Sequence, residues 1–131
     1  KFIKNIFIKL KFIKQILESQ ISSNYELNKS ADFIKKISKK YNSYIVIIPS
    51  RYNWYGEYSF IEKTRKEHSL FVKLLREKNL KVIDLRNNFE KKSANPLDEF
   101  HFKFDGHWNK KGHIQASKEI GDFIINDLTK Q

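Results

Sequence analysis

The chain has no cysteine. That excludes a disulfide framework and any thiolate-ligated metal site, and it leaves the compartment open. Glycine occurs at 4 positions and proline at 2, too few for a flexible linker, a repeat or a low-complexity segment. No apolar run near the start is long enough to span a membrane. The longest, Ile6-Phe7-Ile8, is hemmed in by Lys4, Lys9, Lys11 and Lys14, whereas a spanning helix needs roughly 20 mostly apolar residues. The chain begins at Lys1 without a basic segment, an apolar segment and a cleavage site in order, so no leader peptide is predicted. A G-x-S-x-G nucleophile elbow is also lacking. So is a glycine-rich phosphate loop, since glycine stands only at 56, 106, 112 and 121.

What is present describes one small domain, or part of a larger one, of 131 residues. An apolar share of 40% and an aromatic share of 15% suffice for a core. The formal net charge of +11 points to anionic partners but carries no information about fold. A lysine-rich N-terminal helix could face nucleic acid or an anionic membrane surface. The same Lys-, Asn- and Ile-rich bias runs through the whole chain, which favours a helix that solvates its lysines. No nucleic-acid partner and no transmembrane segment are expected.

Periodicity supplies the elements. Phe2, Ile3, Ile6, Phe7, Leu10, Ile13, Ile16 and Leu17 predict a helix over 2–18. Residues 20–29 are polar and read as a loop. Ser30 is placed to cap a helix to about Lys40 with Phe33, Ile34 and Ile37 on one face. The run from Tyr44 to Ile48, ended by Pro49, reads as a strand buried on both faces. An aromatic loop over 50–58 leads to a helix over 59–78, with Phe60, Ile61, Phe71, Val72, Leu74 and Leu75 as its stripe. Leu80 to Leu85 predicts a second strand, and residues 86–104 read as irregular. The last helix is predicted from Asn109 or Lys110 to about Leu128, burying Ile114, Ala116, Ile120, Phe123, Ile124 and Leu128. Strands alternating with helices predict an α/β architecture with a parallel sheet. Two strands are few for such a sheet, so partner strands are expected from sequence before Lys1 or from another chain.

The chemistry concentrates in Phe102-Lys-Phe-Asp105-Gly-His107-Trp108-Asn109-Lys-Lys-Gly112-His113. A histidine titrates near neutral pH, and a carboxylate two residues away can fix its tautomer and stabilise the imidazolium. His107 is thus a candidate general base and Asp105 its orienting acid. The bland alternative is a surface acid and a histidine that caps or packs against the helix. Trp108 suits a core anchor, Asn109 an N-cap, and His113 a packing or hydrogen-bonding support. A metal held by His101, Asp105, His107 and His113 is a rival reading, but the spacing fits no zinc signature; no metal and no cofactor are predicted. Ser50 ends a strand, a place where a nucleophile can stand, yet it follows Pro49 with no neighbouring glycine. With Tyr52 it is kept as a substrate-binding or supporting candidate.

The block from Asp105 to His113, followed by Ala116 and Ile120, resembles the C-terminal block of SGNH (GDSL-type) hydrolases. It is most similar to the Asp-x-His-Trp branch of O-acetyl transferase and esterase relatives. The resemblance covers roughly residues 30–128. It implies a flavodoxin-like three-layer α/β/α sandwich, with residues 1–131 as the C-terminal portion of a single domain. It assigns His107 as base and Asp105 as its orienter in serine-dependent acyl-ester hydrolysis or O-acetyl transfer on a carbohydrate-linked substrate. The family's serine and oxyanion blocks do not occur here. They are expected upstream of Lys1, and the chain alone is expected to be inactive. The family's setting suggests an extracytoplasmic or membrane-associated location. The reading that competes with catalysis is a binding module in which Tyr52, Trp54, Tyr55 and the basic surface hold a glycan or an anion.

Overall fold

The computed structural model describes residues 23–130. The helix expected over 2–18 lies outside the described residues. Helix α1 occupies 23–38, followed by β1 (Tyr44–Ile47), a 3-10 turn (Arg51–Asn53), α2 (Tyr58–Glu77), β2 (Lys81–Asp84), α3 (Leu85–Lys92), α4 (Pro96–Phe100) and α5 (Lys110–Leu128). The chain is mixed α/β, mostly helical, with two parallel strands in one sheet. Among the described residues no helix is long and apolar enough to cross a membrane.

The strands pair in register, Tyr44 with Lys81 through Ile47 with Asp84. Successive strand residues serve different clusters, because side chains alternate across a strand. Val82 joins Ala31, Val72 and Leu75, with Ile45 and Ile47 packed alongside. Ile83 joins Leu85, Phe89, Phe100 and Ala116, with Tyr44, Val46, Trp54 and Trp108 alongside. β2 is the better buried strand, whereas every residue of β1 is only half-buried. At the other end of the strands, Asp127 of α5 accepts hydrogen bonds of 2.8 Å from the Tyr44 hydroxyl and from Lys81 Nζ.

Three sequence expectations require correction. Residues 23–29 are helical rather than a loop, and Ser30 lies inside α1 rather than capping it. The helix seats Leu27, Ala31 and Ile34, an i, i+4, i+7 stripe, while Phe33 and Ile37 are exposed. A small residue at position 31 lets α1 approach Leu75 and Val72. The polar stretch is therefore the solvated face of a helix. Second, the segment expected to be irregular holds two short helices. The Asp84 carboxylate caps α3 by accepting from Arg86 N at 3.1 Å and Asn87 N at 3.4 Å, and Leu85 and Phe89 are buried one turn apart. Asn95 caps α4, with Pro96 at its first position, where the missing N–H is not needed. Third, α5 buries Ala116 and half-buries Ile120 and Phe123, but Ile114 and Leu128 are exposed.

Candidate active site

The segment between α4 and α5 is a closed loop. His101 and Trp108 form an antiparallel bridge. Inside it, Phe102 N donates to His107 O at 3.1 Å and Asp105 N to Phe102 O at 3.4 Å. These bonds turn Asp105-Gly106-His107 outward as the tip. His107 N donates to Asp105 Oδ1 at 2.9 Å, and the same oxygen faces His107 Nδ1 in a side-chain hydrogen bond. With Nδ1 protonated to donate there, Nε2 keeps its lone pair and is the basic atom. The two side chains are 84% and 53% exposed, so Nε2 is open to an incoming group. The bond from the His107 backbone, and then its side chain and the charge of Arg51, hold the Asp105 carboxyl below its usual range.

The base of the loop is rigid for reasons legible residue by residue. The Asn109 side chain accepts from Gly112 N at 3.0 Å, capping α5. Its amide donates to the carbonyls of Glu99 and His101 at 2.9 and 3.1 Å. One side chain thus starts α5 and closes α4 onto it. Trp108 packs against Phe89 with ring centroids 5.3 Å apart, and His113 lies edge-on to Trp108 at 5.7 Å. Gly112 permits this closeness: a Cβ there would stand 2.3 Å from the Phe100 carbonyl oxygen and 2.9 Å from Trp108 Cβ. Trp108, Asn109 and His113 therefore support the loop that carries Asp105 and His107.

The other candidates are engaged in contacts of their own. Ser50 Oγ accepts from Tyr52 N at 3.3 Å and caps the 3-10 turn. The Tyr52 ring packs against Tyr55 and Phe60. Trp54 is packed against the core and its indole N–H donates to Glu90 at 3.0 Å, so its face is not an open platform. His101 is buried, with 3% exposure, and Nδ1 lies 3.4 Å from the Pro96 carbonyl. Burial, reinforced by the charge of Arg51, pushes its pKa down. Among the described residues no three His, Asp or Glu side chains assemble to hold a metal.

A second His–Asp pair escaped the sequence reading. His68 Nε2 lies 2.8 Å from Asp84 Oδ1, with side chains 7% and 9% exposed. Burial alone would raise the Asp84 carboxyl, but the His68 hydrogen bond and charge, the Asn87 N–H and Arg86 outweigh it and leave it below its usual range. Its residues are 16 apart on different elements, so no local motif announces them. Enclosed and already shared with the α3 cap, this pair links α2 to the end of β2. The Asp105–His107 pair differs in presenting its imidazole to solvent. Comparison of the chain with family models, with curated proteins and with solved structures finds no match.

Proposed function

We propose that this chain supplies the base and its orienter for serine-dependent acyl-ester hydrolysis or O-acetyl transfer, with a carbohydrate-linked ester as substrate. The observation that carries the reading is the Asp105–His107 hydrogen bond on a braced loop with Nε2 open to solvent. His107 Nε2 takes the proton of a serine hydroxyl as that oxygen attacks the acyl carbon. Asp105 holds the tautomer and stabilises the imidazolium, and His107 then returns the proton to the leaving alcohol. Among the described residues no serine hydroxyl bonds to His107, and in this proposal the serine and the oxyanion donors are supplied from beyond residues 23–130. Within the same reading, the two strands with cores against alternate residues belong to a larger flavodoxin-like three-layer domain.

The test is p-nitrophenyl acetate hydrolysis by the full-length protein. His107→Ala is expected to lower kcat by roughly a thousandfold or more. A loss below tenfold would sink the assignment. The 131-residue chain alone is expected to show no His107-dependent hydrolysis. A second reading, a non-catalytic module for a glycan or anion, is favoured by the exposed Tyr52 and Tyr55 rings. It predicts binding with no turnover in the full-length protein.

A further inference from the structure

Helix α1 has two sides of different character. Ala31 and Ile34 turn inward and pack with Val72, Leu75 and Val82. Two residues turn a helix through about 200°, so the series offset by two, Lys29, Phe33 and Lys36, points the opposite way. It continues to Lys40, whose backbone N–H still bonds Ile37 O at 3.0 Å. The three lysines are exposed and so is the Phe33 ring, at 64%. Tyr25 and Ile37 on the same helix are exposed as well, as is Tyr41 just beyond it, where Lys40 Nζ lies 5.4 Å from the ring centroid.

The charge on this side has one sign. Residues 23–41 hold five lysines, at 29, 35, 36, 39 and 40, against the acids Glu26 and Asp32. Asp32 is already bonded to Lys78 Nζ at 2.6 Å. A lysine-rich chain accounts for exposed lysines, but not for large apolar side chains set among them. Four such side chains on one helix and its exit form a patch, unlike the single exposures scattered over any surface. Lysines clustered on an amphipathic helix beside apolar groups match an anionic bilayer. There the phosphates meet the ammonium heads, and the boundary with the acyl chains takes the apolar side chains. A nucleic acid would also meet the cations and stack on the rings, but it offers nothing to the aliphatic Ile37.

We propose that the outer side of α1 docks on an anionic lipid bilayer, with Phe33 seated below the headgroups and Lys29, Lys36 and Lys40 on the phosphates. This surface is independent of the acyl-ester reading. Trp108, which braces the His107 loop, packs in the cluster on the other face of the sheet.

The full-length protein is mixed with phosphatidylcholine vesicles and with vesicles in which about one-third of the lipid is phosphatidylglycerol, and the sedimented fraction is measured. Partition onto the anionic vesicles is expected to be about tenfold stronger or more, and to fall as salt rises towards about 1 M. Joint replacement by Lys29→Gln, Lys36→Gln and Lys40→Gln should weaken it about tenfold or more, since each lysine near an anionic surface contributes roughly fivefold. Phe33→Ser should weaken it several-fold at every salt concentration, and Phe33→Leu should restore it. Circular dichroism and Tm check that each variant is folded. Should the triple variant not fold, Lys36→Gln alone replaces it, with a loss of about fivefold expected. Equal partition onto neutral and anionic vesicles, or unchanged partition of the lysine variants, overturns the proposal. Release from the vesicles by an equimolar single-stranded oligonucleotide also overturns it and reassigns the surface to nucleic acid.

Discussion

The carboxylate of Asp84 accepts from three donors on two helices through one oxygen: Nε2 of His68 at 2.8 Å and the backbone N–H groups of Arg86 and Asn87 at 3.1 and 3.4 Å. A single side chain therefore ends β2, starts α3 and pins α2. Truncating it removes a helix cap and leaves His68 buried without its partner. Asp84→Ala is expected to destabilise the fold by about 3 kcal/mol, measured by urea unfolding. A change under about 1 kcal/mol would contradict this account.

The same pair sets an acid dependence. The Asp84 carboxyl titrates below its usual 3.8. A group depressed in the folded state contributes stability that is complete above its unfolded value and is lost as the pH falls through the folded value. The stability gap between the unaltered protein and Asp84→Asn should therefore be widest above pH 4 and close progressively below 3.8. A gap that stays constant down to strongly acid pH would refute the assignment.

Gly112→Ala places a methyl carbon 2.3 Å from the Phe100 carbonyl oxygen. That contact is with backbone, so α4 and α5 must separate. The expected cost is about 2–3 kcal/mol, with loss of the Trp108 packing seen as a change in its fluorescence. Gly121→Ala, whose added carbon meets nothing within 4 Å, should be neutral or slightly stabilising and is the matched control.

Asn109→Ala removes the cap of α5 and frees the carbonyls of Glu99 and His101. About 2 kcal/mol of destabilisation is expected, by thermal or urea unfolding. Asn109→Asp keeps the cap but not the amide donors, so it should recover only part of the loss. Full recovery would mean that the two carbonyl contacts contribute nothing.

Asp105→Asn leaves the loop's shape but can no longer fix the His107 tautomer. In the full-length protein it is expected to lower kcat by about a hundredfold or more, with KM little changed. Because Asp105 is exposed and close to Arg51, the loss should stay below that of His107→Ala. Equal kcat in Asp105→Asn and the unaltered protein would reduce the pair to a structural contact.

The sequence made the two strands, α2, α5 and the Asn109 cap legible because each is specified locally: a β-branched run, a 3.6-residue stripe, or an acceptor three residues before an N–H. Trp108 as an anchor was legible from its size beside a helix start. The helix over 23–29 reads as a loop in the sequence because the buried stripe of Leu27, Ala31 and Ile34 is sparse and its solvated face is long. The helices between 85 and 100 were hidden by their shortness, although Asp84 and Asn95-Pro96 announced both starts. His68 with Asp84, and Arg51 with His101, could not be read at all. Each pairing is made by the fold between residues on separate elements.

β2 runs into α3 without an intervening residue, since the strand ends at Asp84 and the helix begins at Leu85. One turn later Phe89 packs on both Phe100 and Trp108. The joint leaves no slack: a shift of β2 along β1 cannot be absorbed by a connecting loop and is carried by a stiff lever to the tryptophan beneath His107.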